Sequence, residues 1–332
     1  MVVSLKESDF FSKNRRALAK WISAVEDRLP EGLEFLQRHY HRVGHAFRIG
    51  ITGPPGGGKS TLINALLRVF RARYPEETIA VVAVDPSSHL SGGALLGDRI
   101  RMDAIGLDEG IFMRSMASRG SLGGVSEATA DICDLLDIYG FDRIFIETVG
   151  IGQLELDIIS LAHTNLLVLS PECGDEIQAI KSGIVELVDI FVVNKADRQG
   201  AGRMVNDLEY MLGLRVYSGE DWRPAVVSCV ATGGSGEGAD GVFELVEKVE
   251  SHRSWLQARG RWGRKNRRNL ERKLRQNLFH YLQREFDFLQ PLLEQKAEEV
   301  EKKRLSFSEA LEILLEEFSR QFSSSLKKRK GG

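Results

Sequence analysis

A chain of 332 residues that is 42% hydrophobic can bury a sizeable core, and 45 basic against 47 acidic side chains leave a net charge of −2, too small a field to drive binding to nucleic acid or an anionic membrane. Three cysteines, Cys133, Cys173 and Cys229, stand far apart and outside any C-x-x-C or Cys/His cluster, which argues against a disulfide framework or a zinc site and for a reducing cytoplasm. No apolar run approaches the ~20 residues of a membrane helix and the first twenty residues contain no apolar signal segment, so neither an exported nor a membrane-spanning protein is expected.

Residues 1–46 read as a helical cap. Leu18, Trp21, Ile22, Val25 and Leu29 recur every three or four positions, and Pro30-Glu31-Gly32 interrupts them before a second helix through Phe35 and Leu36. From 47 to 250, seven short apolar runs ("FRIGIT", "TIAVVAV", "GIFMRS", "DRIFIET", "NLLVLS", "DIFVVN", "PAVVSC") alternate with amphipathic segments. Strands apolar on both faces and separated by helices imply an α/β fold with a doubly wound, mainly parallel sheet, whose ligands bind at the carboxyl ends of the strands. Residues 251–332 turn to long helical patterns, first arginine-rich and then glutamate-rich, and are expected to form a dimerisation or partner arm. Leu305, Leu311, Leu314, Leu315 and Phe318 mark a stripe there that suits a core or a dimer seam.

The stretch "RIGITGPPGGGKSTLINALL" satisfies the Walker A pattern, with the required strand before it and helix after it. Gly53, Pro54, Pro55, Gly56, Gly57, Gly58, Lys59, Ser60 and Thr61 are the expected phosphate cradle. Glycines let the backbone N–H groups close on the phosphates, Lys59 reaches the β- and γ-phosphates, and Ser60 ligates Mg²⁺. Asn194-Lys195-Ala196-Asp197 directly follows the run "DIFVV". At a strand end, the Asp197 carboxylate matches the N1–H and exocyclic N2–H₂ donors of guanine, which adenine does not present, so the nucleotide is read as GTP or GDP. Ser228 and Cys229, closing the next strand, fall where a further guanine-facing loop belongs.

"DRIFIETVGIGQ" ends a strand in Glu147-Thr148-Val149-Gly150, so Glu147 is the expected acid near Mg²⁺ and Gly150 the γ-phosphate sensor. Gln153 lies too far from Gly150 to position the attacking water, which predicts slow unaided hydrolysis. Asp85 ends an apolar strand, and Asp98 lies on a glycine-rich stretch where it can join the metal's water shell or simply pair with Arg99 and Arg101. Arg114 and Arg119, in "RSMASRGSLGG", fit contact with phosphate, with a partner or with water alone.

In order, "GPPGGGKSTLINALL", "VDPSSHLSGGALLGDRIRM", "RSMASRGSLGG", "ETVGIGQ", "ECGDEIQAIKSGI" and "VVNKAD" make the chain resemble the MeaB/ArgK-type GTPases of the SIMIBI class of P-loop proteins. The resemblance covers about residues 15–255 and, more loosely, the C-terminal helices. It implies an Mg²⁺-dependent GTPase, usually homodimeric, that chaperones an adenosylcobalamin-dependent acyl-CoA mutase, chiefly methylmalonyl-CoA mutase. By position it implies that Lys59, Asp85, Asp98 and Glu147 serve catalysis, with Ser60 and the same three acids around the metal. Asn194, Lys195 and Asp197 read guanine. Asp175, Gln178 and Lys181 lie in an additional switch that answers to the nucleotide and signals to the mutase. The lysine that other SIMIBI proteins place near the start of the loop is absent, since Pro54 and Pro55 stand there, so activation in trans by that lysine is not expected. A metallochaperone GTPase and a small-molecule kinase or transport ATPase share the fold. The first usually needs Cys/His ligands, for which this chain has no cluster, and the second an acceptor pocket.

Overall fold

In the computed structural model, the described residues are 5–85, 108–117, 122–148, 160–172, 186–232 and 241–330. They form two compact units, 1–265 and 266–332. The first is built on a seven-stranded sheet ordered β3-β2-β4-β1-β5-β6-β7, with every pairing parallel. In chain order the strands are β1 (Phe47–Thr52), β2 (Ile79–Asp85), β3 (Ile111–Ala117), β4 (Arg143–Thr148), β5 (Thr164–Leu169), β6 (Ile190–Asn194) and β7 (Ala225–Cys229). All seven apolar runs became strands. The central ones are buried along their whole length, as a sheet covered on both faces requires.

The covering helices follow from the amphipathic segments. One face carries α4 (Lys59–Arg73) and α7 (Val242–Ala258), whose Leu62, Leu66, Phe70, Leu245 and Val249 meet Ile49, Ile51, Phe145 and Val192 of the sheet. The other carries α5 (Leu122–Tyr139) and the N-terminal helices α1 (Glu7–Phe11), α2 (Arg15–Glu26) and α3 (Pro30–Arg38). The helix α6 (Ala201–Gly213) packs Met204 and Leu208 against β5 and β6. The Asn14 side chain caps α2 by accepting from the Arg16 and Ala17 amides. Trp21 stacks on Phe35 at 4.1 Å, which closes α2 on α3. Leu29 departs from the expected stripe: α2 ends at Glu26, so Leu29 becomes the residue before Pro30 at the start of α3 and is 44% exposed. The expected boundary near residue 250 falls inside α7, whose His252 and Leu256 remain fully buried in the first unit.

Polar groups pin the amino ends of the strands. Arg48 lies beside Asp134 (2.8 Å), and Asp137 accepts the amides of Gly44, His45 and Ala46, fixing where β1 begins. Arg143, fully buried, donates to Glu77 and Glu250 and lies over the Phe70 and Tyr74 rings. His252 is enclosed by Thr164 at 2.8 Å, Asp189 at 3.3 Å, and the Trp222 and Trp255 rings. Burial pushes its imidazole down to about 4, against the opposing pull of Asp189 and with Lys265 adding to the fall. An unfolded histidine titrates near 6.5, so between pH 6.5 and 4 the unfolded chain binds the extra proton, and stability is lost as pH falls through that window. The expected loss at this residue is about 3 kcal/mol. Urea midpoints of the wild type and His252→Gln at pH 7 and pH 4.5 check it: the variant loses markedly less stability on acidification, whereas equal losses would assign the acid sensitivity to other groups.

The second unit is helical. The helix α8 (Arg261–Phe286) runs into it and is followed by α9 (Gln290–Glu301) and α10 (Phe307–Lys330). Leu289 and Ala310 are buried in it, and Phe318 lies 5.1 Å from Phe286 and 5.5 Å from Phe322. The stripe expected on the last helix splits: Leu314 and Phe318 are half-buried, Leu311 and Leu315 are exposed, and Leu305 precedes the helix. Among the described residues no helix is long and apolar enough to cross a membrane.

Candidate nucleotide-binding site

The carboxyl ends of β1, β4, β6 and β7 converge on one edge of the sheet, and the sequence places polar residues at each of those ends. After Thr52 the chain turns through Gly53 to Gly58 into α4. Two glycines here are dictated by geometry. Gly53 has φ +146°, and a Cβ on it would lie 2.1 Å from the Val168 carbonyl oxygen; Gly58 has φ +86°, and a Cβ would lie 2.3 Å from the Asn194 amide nitrogen. At these two positions the loop therefore lies against β5 and β6 with no room for a Cβ. The first amides of α4 follow it directly, giving an anion-binding helix start.

Lys59 is 7% exposed and donates to the Gly53 and Pro54 carbonyls at 2.7 and 2.8 Å, so its ammonium lies under the loop it is expected to serve. Ser60 donates to Glu147 Oε1 at 2.7 Å, joining the loop to the end of β4. A hydroxyl and a carboxylate side by side are hard oxygen donors of the kind Mg²⁺ takes, and an Mg²⁺ held there would draw charge from the phosphates. Asp85 ends β2, beside β4 and at the same edge, where Val84 pairs with Thr148; its side chain, like the whole of Asp98, lies outside the described residues. Gly150, Gln153, Asp175, Gln178 and Lys181 lie outside them too. Arg114 is settled: it donates to Glu26 and Ser23 of the helical cap rather than facing phosphate.

On the guanine side, Asn194 is 2% exposed and its carboxamide is spent on backbone. Its Nδ2 donates to the Gly57 carbonyl at 2.9 Å and its Oδ1 accepts the Ala231 amide at 3.3 Å. The N-K-x-D turn, the phosphate loop and the segment after β7 are thus braced by one side chain. Lys195 takes φ +57° and donates to Glu172 at 2.6 Å, a contact that holds the Glu172 carboxyl below the usual range. The Asp197 carboxylate is 55% exposed, with Arg198 3.8 Å away. Ser228 is exposed, whereas Cys229 is buried, its carbonyl taken by the Ala196 amide and its thiol pushed up to about 12 by burial. Cys229 therefore shapes the loop from behind rather than meeting a ligand as a thiolate.

Three contributors carry no sequence signal of their own. Thr148 donates to Thr52 at 3.0 Å, both fully buried, which ties the end of β4 to the root of the phosphate loop and sets Glu147 opposite Ser60. Glu172 is the third, as the partner of Lys195. Each depends on chain neighbours far away in sequence.

This arrangement can hold the phosphates of a nucleotide at the loop, with a flat base beyond Asn194. Residues 18–287 match the family model for methylmalonyl Co-A mutase-associated GTPase MeaB. The chain belongs to the MeaB family of GTPases. Among its relatives, a putative GTPase of Pyrococcus abyssi is 45% identical over 264 residues, covering 79% of each chain. The GTPase ArgK of Escherichia coli is 32% identical over 258 residues, covering 74% of this chain and 75% of its own. A crystal structure of an LAO/AO transport system kinase matches 94% of this chain and 96% of its own, with a TM-score of 0.68 and 25% identity. The MeaB family thus accounts for the parallel sheet with its P-loop and for guanine nucleotide as the ligand, and the family as a whole is described as methylmalonyl Co-A mutase-associated.

Proposed function

We propose that the protein is an Mg²⁺-dependent, GTP-hydrolysing chaperone of an adenosylcobalamin-dependent acyl-CoA mutase, methylmalonyl-CoA mutase or a relative, gating cofactor loading and protecting or reactivating the mutase. The observation that carries this reading is the convergence of the phosphate loop, Glu147 and the Asn194–Asp197 turn on one sheet edge, in a member of a family described as mutase-associated. In it Lys59 supports the β- and γ-phosphates, Ser60, Asp85, Asp98 and Glu147 surround the metal, and Asp197 reads guanine between Lys195 and the Ser228–Cys229 loop. Asp175, Gln178 and Lys181 respond to the γ-phosphate and signal to the mutase.

Such a chaperone works by coupling. If the GTP and GDP forms differ in the switch segments, the mutase prefers one of them, and by reciprocity it changes nucleotide affinity by the same factor. A homodimer is part of the reading, supported by Leu270, Leu274 and Leu278, which stand exposed at four-residue intervals on α8. The cytoplasm is its place of work, in keeping with the burial of Cys133 and Cys229 as ordinary core residues. The test is the affinity of purified acyl-CoA mutase for this protein loaded with GDP or with a non-hydrolysable GTP analogue. The expected difference is about 5- to 150-fold; equal affinity for both forms would remove the chaperone reading.

A further inference from the structure

We propose, on the reading that Ser60 and Glu147 flank the metal, that the buried hydroxyl pair Thr52–Thr148 holds these two groups in register and so makes the site select Mg²⁺ over larger divalent cations. Thr52 and Thr148 are then positioning residues that set metal specificity.

The backbone leaves a gap that the pair closes. The ladder between β1 and β4 ends at Ile51 opposite Glu147; one residue further, Thr52 is paired with Leu167 of β5 and Thr148 with Val84 of β2. Past Glu147 each strand is thus held by its other neighbour. There Thr148 Oγ1 donates to Thr52 Oγ1 at 3.0 Å, and both residues are fully buried. Thr52 directly precedes Gly53, which lies tight against the Val168 carbonyl, and Thr148 directly follows Glu147. The bond is a side-chain rung that continues the ladder beyond the carboxylate.

Neither hydroxyl is a metal ligand. Ile144 and Ile146 of β4 pack with α5 and the helical cap, whereas Phe145 packs with α4. Alternation along the strand places Glu147 on the α4 side, where Ser60 donates to it at 2.7 Å, and Thr148 on the other side. The same alternation, with Ile49 and Ile51 on the α4 side, places Thr52 beside Thr148. The pair therefore acts through the backbone, tying the carboxylate to the root of the loop that carries Ser60. Mg²⁺ demands near-ideal octahedral oxygens at about 2.0–2.1 Å, whereas Ca²⁺ accepts a looser shell at about 2.3–2.6 Å. A frame that keeps hydroxyl and carboxylate from drifting apart favours the smaller ion, and loosening the frame costs Mg²⁺ more than Ca²⁺.

The test loads full-length wild type, Thr148→Val and Thr148→Ser with GDP and titrates Mg²⁺ and Ca²⁺ in competition with Mn²⁺, read by the electron paramagnetic resonance of free Mn²⁺. Valine keeps the branched shape and removes the hydroxyl; serine keeps the hydroxyl and removes the methyl. Thr148→Val is expected to lower the preference for Mg²⁺ over Ca²⁺ about tenfold. Thr148→Ser is expected to keep that preference, although its lost buried methyl lowers the melting temperature. Thr52→Val removes the same bond from the other strand and reads the same change independently. A wild-type preference retained in both valine variants, or equal losses in Thr148→Val and Thr148→Ser, would overturn the proposal alone. A wild type whose GDP complex holds Mn²⁺ no better than free GDP would overturn the metal reading and the proposal with it.

Discussion

In Asp197→Asn, GTP affinity falls by about 10²-fold and xanthosine triphosphate becomes the preferred nucleotide. The physical reason is a pattern of donors. A carboxylate accepts both the N1–H and the N2–H₂ of guanine, whereas a carboxamide offers one acceptor and one donor, and its donor opposes N2–H₂. Xanthine carries a carbonyl at that position and accepts from the new amide. The variant is expected to fold, because Asp197 is 55% exposed and the turn is held by Asn194 and by the bond from the Ala196 amide to the Cys229 carbonyl. Competition between the two triphosphates for the wild type and the variant measures the exchange. An unchanged preference would show that Asp197 does not read the base.

Lys59→Met is expected to lower GTP turnover by about 10²- to 10³-fold, and to weaken GTP binding more than GDP binding. Methionine keeps the unbranched apolar stem in the buried slot and removes only the charge, so the loss reads the ammonium. In the wild type that ammonium donates to the Gly53 and Pro54 carbonyls, and the variant leaves both without that donor, at about 1–3 kcal/mol of stability. Turnover and thermal melting measured together separate the two effects. A variant with normal turnover would place phosphate stabilisation on other groups.

The sheet was legible because its signals are local. Seven short apolar runs separated by amphipathic segments could be read as buried parallel strands, and all seven are strands at those positions. The phosphate loop was legible for the same reason, as its glycines answer to a backbone path that contiguous residues define. What stayed hidden depends on residues brought together from far apart. Thr52 and Thr148 are 96 positions apart, and nothing near either one announces a buried hydroxyl pair. Asn194 reads from sequence as part of a base-recognition motif, and only the fold shows its carboxamide bracing Gly57, 137 positions away. The end of the first unit was also hidden, since helical periodicity continues smoothly through α7 while burial decides that Val249, His252 and Leu256 belong to the sheet's core.

The central claim is that nucleotide hydrolysis here serves an acyl-CoA mutase. The most direct measurement is the rate of GTP hydrolysis by the purified protein alone and with saturating methylmalonyl-CoA mutase, or a related acyl-CoA mutase, from the same organism. The account predicts slow hydrolysis by the protein alone, because no glutamine follows Gly150 directly, and a clear acceleration when the mutase is added. The same turnover with and without every such mutase would contradict it.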